Sequence, residues 1–193
     1  MELSRLQPII VPAEYYELSS WDLPHVALPN KEFILTWVDY AEAMLYLDRA
    51  AYDELEAAIP GWQQQTFDNV RQTEYFHRHH KGEEHTPEWI AFLNDEDTIS
   101  SSKVLLQYEI NRIFPEGYRI AIPDRACGII VSNLCSAETL REVQLMVENM
   151  YESATTPMSP QLYPSSDFQL PAAWVQPFQT DETSKAILHL FEK

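Results

Sequence analysis

The stretch from Ser101 to Tyr151 constrains the fold of this chain more than any other part of the sequence. It holds the densest and most regularly spaced apolar residues, in the order helical segment, Pro-Glu-Gly turn, two strand-like segments and second helical segment. The apolar residues between Val104 and Phe114 recur near the helical period, and Pro115 ends that pattern. The stretch carries no catalytic signature, so we interpret it as a scaffold.

The two strand-like segments of this stretch indicate a sheet. Tyr118, Ile120 and Ile122 alternate with other residues, which predicts a strand with one face in the core. The apolar run at 128–131 predicts a more deeply buried neighbouring strand. The wide apolar stripe of 136–151 predicts a helix, and Ser136 supplies the start chemistry of that helix.

The rest of the chain predicts further elements around this scaffold. They comprise an edge strand at 6–12, strands at 33–38 and 44–47, a helix capped by Asp48 and a helix at 62–72. Residues 73–80 and 88–93 are expected to form a hairpin. A serine from 100–102 is the expected N-cap of a helix at 103–114, and a closing helix is expected at 183–191.

These elements predict the α+β class. We expect one domain over 1–193, with an antiparallel or mixed sheet and the helices at 103–114 and 136–151 packed on one face. Proline-rich segments at 1–30 and 155–180 are expected to wrap over the domain, because proline orders a chain without regular secondary structure.

The charge of the chain limits its partners. Thirteen Lys and Arg against thirty Asp and Glu leave a formal net charge of -17 at pH 7. Such a charge repels nucleic-acid phosphates and anionic lipid headgroups, so we expect neither a nucleic-acid nor a membrane partner. The acidity either keeps the protein soluble or attracts a basic protein partner, and both explanations stay open.

The sequence also predicts a compartment. It shows no signal peptide and no apolar run long enough to span a membrane. Its two cysteines, Cys127 and Cys135, are too few for a secreted scaffold held by disulfides. We therefore expect a cytoplasmic protein.

Motifs of the common enzyme classes are absent from the sequence. There is no GxSxG, HExxH or phosphate-binding loop, and four glycines in the whole chain make such a loop hard to build. Cys127 and Cys135 flank the buried strand without a CxxC pattern, so we interpret them as buried free thiols. We predict no catalytic residue, no cofactor and no enzymatic activity.

A histidine cluster keeps one enzymatic alternative open. On a strand His77 and His79 point to the same face, and a hairpin turn returns His85 toward them. A metal bound by these three residues would support a small metal-dependent or small-molecule enzyme. Because their spacing matches no zinc motif, our prediction is a polar surface without metal.

Acidic residues concentrate in two parts of the chain. Residues 32–56 carry seven acidic residues against Arg49 alone, and residues 83–97 carry six with no basic residue. Such runs are usually solvated faces; the alternative is a surface that steers a basic partner while an apolar side chain supplies affinity. We predict that the second cluster binds the partner through Glu83, Glu84, Trp89, Asp95, Glu96 and Asp97.

One segment carries a resemblance to known proteins. The residues IFPEGYRIAIPDRACGIIVSN, followed by a helix and then TTPMSP, resemble a pattern in bacterial proteins of uncharacterised function. The pattern lies within 103–160. In general character the chain is similar to cytosolic immunity proteins that neutralise toxins passed between competing bacteria.

Three functional hypotheses follow. The first, implied by the resemblance and supported by the charge, is an immunity protein that occludes the basic active-site cleft of a toxin or effector domain. The second is the enzyme that uses the region from His77 to His85. The third is a structural or adaptor subunit whose acidity serves solubility alone. The sequence leaves the oligomeric state open.

Overall fold

The computed structural model describes residues 2–18, 22–40, 44–72, 76–81, 89–94 and 99–177. The contacts divide the chain into two compact units. The first unit comprises Met1–Thr73 and Gln169–Lys193, and the second comprises Glu74–Phe168.

The described residues form strands and helices along both units. The strands are β1 (Leu6–Pro12), β2 (Val26–Ala27), β3 (Phe33–Tyr40), β4 (Met44–Tyr46), β5 (Phe76–Lys81), β6 (Trp89–Asn94), β7 (Tyr118–Asp124), β8 (Cys127–Ser132) and β9 (Leu162–Pro164). The α-helices are α1 (Ala13–Leu18), α2 (Arg49–Ala58), α3 (Trp62–Gln72), α4 (Gln107–Ile113), α5 (Ala137–Ser153) and α6 (Ala172–Val175). Short 3-10 helices cover Leu3–Arg5, Ser100–Leu105 and Ser165–Phe168.

β3 is the central strand of the first unit. β1 runs antiparallel along all of it, from Leu6 opposite Asp39 to Pro12 opposite Phe33. β2 and β4 pair with the other side of β3, at its beginning and its end respectively. The prolines of β1 are tolerated because an edge strand needs only one row of backbone hydrogen bonds. The predicted edge strand at 6–12 is therefore confirmed, as are the strands at 33–38 and 44–47.

α3 packs against β1 and buries Trp62, Phe67 and Val70. Two buried polar residues of α3, Asn69 and Arg71, form hydrogen bonds with neighbouring segments. Asn69 Nδ2 donates to the carbonyl oxygens of Leu3 and Leu6 at 2.8 and 2.7 Å. Arg71 Nη1 forms an ion pair with Asp68 at 2.8 Å, and Arg71 Nη2 donates to the carbonyl oxygen of Val175 in α6. The helix predicted at 62–72 thus also fixes the first 3-10 helix and α6.

The second unit is built on a five-stranded antiparallel sheet in the order β5-β6-β8-β7-β9. β9 pairs with the edge of β7, and Ser159 N donates to the carbonyl oxygen of Ile122 at 3.0 Å. Residues 156–164 of the predicted C-terminal wrapping segment therefore line one edge of this sheet.

Both faces of this sheet are covered. Val143 and Val147 of α5 pack with Cys127, Ile129 and Val131 of β8 in one apolar cluster. Val104 lies against Gly128, whose position alternates with those residues and belongs to the opposite face. The α+β class with antiparallel sheets is confirmed. The 103–114 segment and α5, predicted on one face, cover opposite faces of this sheet.

The helix predicted at 103–114 is also interrupted. Ser100–Leu105 is a 3-10 helix, and Leu106, with φ -72 and ψ 55, separates it from α4. No serine side chain caps either helix; the serines at 100–102 are instead buried. The predicted serine cap is therefore wrong, because this segment packs against β8 and β6 rather than facing water. Asp48 and Ser136 do cap α2 and α5 as predicted.

The predicted single domain over 1–193 stays a prediction beside the division into two compact units. The closing helix at 183–191 lies outside the described residues. None of the helices in the described ranges is long and apolar enough to cross a lipid bilayer.

Candidate protein-binding surface

Most of the predicted partner-binding residues fall outside the part of the chain that the structure describes. Glu83 and Glu84 lie between β5 and β6, and Asp95, Glu96 and Asp97 follow β6. Trp89 is the first residue of β6. The prediction that these residues bind a partner therefore stays a prediction.

The histidine alternative is described in part. His77 and His79 lie two residues apart on β5, opposite Leu93 and Ala91 of β6. His85 lies outside the described residues. Within the described ranges, no group of three or more His, Cys, Asp or Glu is placed to hold a metal ion.

The two cysteines are free and buried, as predicted. Burial, assisted by the nearby carboxylate of Asp124, raises the pKa of the Cys127 thiol from 9.0 to about 12. The thiol is therefore protonated at neutral pH, whereas a nucleophilic cysteine works as the thiolate. The side chain of Cys127 packs in the apolar cluster between α5 and the sheet.

The last part of the first acidic cluster, from Asp48 to Glu56, lies along α2 on the surface of the first unit. Asp48 Oδ1 accepts a hydrogen bond from Ala51 N at 2.8 Å, which starts the helix. No residue of α2 is buried, and Asp53 and Glu54 are exposed. On a helix Asp53 and Glu54 lie one turn beyond Ala50, so they continue the same exposed side.

The inner side of α2 rests on an aromatic cluster. The ring of Tyr52 lies 5.6 Å from Trp37 and 5.4 Å from Trp62, and Trp37 lies 5.0 Å from Trp62, all between ring centroids. Trp62 Nε1 donates to Glu56 Oε1 at 3.1 Å. Burial, followed by the charge of Glu56, raises the pKa of Tyr52. These contacts hold α2 in place although none of its residues is fully covered.

An open pocket lies beside the start of α2. Its volume is about 630 Å³, and it is bordered by β4, the beginning of α2 and the segment before β2. Its lining residues are mostly apolar and include Leu23, Met44, Leu45, Tyr46 and Ala50. We call this pocket, together with Asp53 and Glu54, the α2–β4 surface.

Charged residues form the rim of the pocket. Asp22, Asp48 and Arg49 all line it. Arg49 Nη2 lies 3.4 Å from Asp22 Oδ1, and its guanidinium lies 5.6 Å from the centroid of the Tyr52 ring. The single cation of the rim therefore already has an acidic and an aromatic partner, and carboxylates predominate.

One lining residue is unusually exposed for its type. Leu45 keeps 65% of its surface accessible. Its neighbour Tyr46 is half-buried and stacks with Tyr15 at 6.2 Å between ring centroids. Exposed leucine beside an apolar concavity and acidic side chains combines an apolar anchor site with a polar rim, the common anatomy of protein interfaces.

The second unit has another exposed acidic face, on α5. Leu145 is 59% exposed there, and helical spacing places four glutamates and one exposed cation around it: Glu138, Arg141, Glu142, Glu148 and Glu152. Gln144 Nε2 donates to Glu148 Oε1 at 2.9 Å on the edge of this face. The acidic face of α5 has a charge similar to that of the α2–β4 surface, so it is a suitable place for control substitutions.

No protein-family model, no curated protein and no solved structure matches this chain.

Sequence reasoning identified only half of the α2–β4 surface. The acidic run at 32–56 is visible in the sequence, but the sequence favours the second acidic cluster as the binding surface, because Trp89 and Phe92 lie within that cluster. The pocket joins Asp22 and Leu23 to residues 44–50, and only the fold brings these segments together. Leu45 lies within the apolar run MLYL, and strand patterning alone does not predict that its side chain is exposed.

Proposed function

We propose that this protein binds a basic protein partner through the α2–β4 surface. The observation that carries the proposal is the open apolar pocket with exposed Leu45, bordered by the carboxylates of Asp22 and Asp48. Complementary charge speeds encounter and selects orientation, whereas a desolvated apolar anchor supplies most of the affinity. The two ingredients lie side by side in the first unit.

The biological form of this binding, in our proposal, is immunity. The protein neutralises a bacterial toxin or effector by covering its basic active-site cleft, as a net charge of -17 favours. Occlusion requires no catalytic group on this chain. The acidic residues at 83–84 and 95–97, with Trp89, are a second proposed contact for the same partner.

Two measurements test this proposal. The first measures whether co-expression of this chain restores the growth of cells that express a toxin encoded by a gene next to the gene of this chain. The second measures association with that toxin when Asp53 and Glu54 are replaced by Lys. We expect the association rate at low salt to fall by about tenfold or more, with a smaller difference at high salt, because screening weakens the attraction.

The matched control replaces Glu142 and Glu152 of α5 by Lys, which changes the net charge equally on the other acidic face. The control should lower the association rate much less. Equal rates for both double variants would remove the α2–β4 surface from the proposal, and failure of rescue would remove the immunity function.

A further inference from the structure

The α2–β4 pocket has the dimensions of a recognition site. Its volume of about 630 Å³ falls within the range of specific binding sites and exceeds the space that one side chain needs. Leu23, Met44 and Leu45 are among its apolar lining residues. The occupant should therefore offer at least one large apolar group.

The pocket is open rather than enclosing. Leu45 is 65% exposed, Ala50 is exposed, and the side chain of Asp22 is 70% exposed. Small-molecule sites usually bury most of their ligand, whereas a protein surface can cover an open pocket with its own neighbouring residues. An open pocket thus favours a protein segment as its occupant.

The rim specifies the charge of that segment. Asp22 and Asp48 outnumber Arg49, which lies beside Asp22 and the Tyr52 ring, so the rim carries a net negative charge. Asp48 uses Oδ1 to cap α2 and is exposed. Asp53 and Glu54 extend the negative charge one turn along the helix. A Lys or Arg beside the apolar anchor would meet this charge at short range.

We propose that the pocket receives a short partner segment in which a large apolar side chain stands next to Lys or Arg. This inference rests on the proposed function and adds the chemistry of the anchor. The apolar side chain contacts Met44 and Leu45, and the neighbouring cation lies near Asp22 and Asp48.

The test uses the full chain and three capped dipeptides: acetyl-Phe-Lys-amide, acetyl-Phe-Glu-amide and acetyl-Ser-Lys-amide. Methyl signals of Met44 and Leu45 are followed by NMR while each peptide is added to about 10 mM, a range suited to millimolar affinity. We expect saturable shifts with Phe-Lys, about fivefold weaker binding of Phe-Glu, and no saturable shifts with Ser-Lys.

Two pocket variants and a control complete the test. Ala50→Trp fills the pocket. It should weaken Phe-Lys binding by about tenfold, because the indole ring takes part of the space in which the Phe ring would be buried. Ala57→Trp places the same ring on the same helix, away from the pocket lining, and should leave binding unchanged. Leu45→Ser removes one apolar wall at an exposed position, so it tests the pocket even if Ala50→Trp fails to fold.

Several outcomes would overturn the inference: no saturable shift with Phe-Lys, equal binding of Phe-Lys and Phe-Glu, or unchanged binding in a folded Leu45→Ser variant. Its failure is distinguishable from failure of the proposed function. If the peptides do not bind but the Asp53 and Glu54 reversals slow toxin association, only the anchor chemistry is wrong. If Phe-Lys binds but those reversals leave the association rate unchanged, the pocket chemistry is right and the role of the α2–β4 surface in toxin binding is wrong.

Discussion

Individual buried residues of the second unit couple its stability to pH. Cys127 and Tyr118 lie in neighbouring strands, with 4% and 2% of their surfaces accessible. Burial raises the pKa of both groups, because removing either from water penalises its charged form. The proton of each side chain is therefore held more tightly in the folded than in the unfolded chain.

We predict that the free energy of unfolding falls in alkaline solution. Below pH 9.0, the ordinary pKa of cysteine, both states keep the Cys127 proton and the stabilisation is fully present. As pH rises toward about 12, the unfolded state releases that proton first, so stability falls by up to about 1.4 kcal/mol per pH unit for this group. Urea unfolding at a series of pH values measures this slope.

Two substitutions show which side chain causes each part of the dependence of the free energy of unfolding on pH. Cys127→Ala should flatten the part that begins near pH 9.0, and Tyr118→Phe the part that begins near 10.0, the ordinary pKa of tyrosine. Parallel stability curves for the wild type and both variants would contradict the prediction.

Asp124 shows what a single residue reveals only in the folded chain. One carboxylate oxygen accepts from Ala126 N at 2.7 Å, which is the turn chemistry expected between two strands. The other accepts from Thr156 N at 3.1 Å, 32 residues away. The local bond belongs to the turn, whereas the distant bond depends on the path of residues 154–159 along β7.

At the scale of elements, the segment from Ser100 to Ile113 explains why two helices cover opposite faces of one sheet. Val104 and Leu105 are fully buried, and so are the serines at 100 and 101. A 3-10 helix brings its backbone close to β8, and Gly128 provides the space. This close approach replaces the regular, solvent-capped helix that apolar periodicity predicts.

We predict that Gly128→Ala destabilises the protein by about 1–3 kcal/mol, the usual cost of overpacking. An added Cβ would lie 2.6 Å from Val104 Cγ1 and 3.3 Å from the carbonyl oxygen of Ser101. Chemical denaturation measures the change in the free energy of unfolding.

Gly61→Ala is the matched control. Gly61 has φ +76 and no neighbouring atom within 4 Å of an added Cβ, so only backbone strain of about 1 kcal/mol is expected. A smaller loss of stability for Gly128→Ala than for Gly61→Ala would contradict the close packing of the 100–105 segment on β8.

At the scale of the whole molecule, the described residues form two sheets, one in each compact unit. The second unit is continuous in sequence, and its apolar cluster between α5 and the sheet lies entirely within it. The first unit is assembled from both ends of the chain, because α6 packs on α3.

We predict that a fragment of residues 74–168, expressed alone, folds. Its circular dichroism should show helix and sheet, and its thermal unfolding should be cooperative, because the cluster around Val143 and Ile129 needs no residue outside the fragment. An unfolded fragment, together with a single unfolding transition of the full chain, would instead support one domain over 1–193.

Local sequence patterns were sufficient to predict the elements in which these patterns are strong. Period-two alternation predicts β7, a wide apolar stripe and Ser136 predict α5, and Asp48 predicts the start of α2, because each signal depends on residues within a few positions of one another. The α+β class follows from these elements, and charge supports a basic partner as a hypothesis.

Three features became visible only in the folded chain: the face of the sheet that each helix covers, the break in the 103–114 helix, and the acidic residues that border an apolar pocket. These features depend on contacts between distant segments, such as Gly128 with Val104 or Asp22 with residues 44–50. At the serines of 100–102, packing against the sheet outweighs the preference for a solvent-exposed helix cap. The pocket forms where separate segments of the chain meet. A local stretch of sequence predicts neither the burial of these serines nor the pocket.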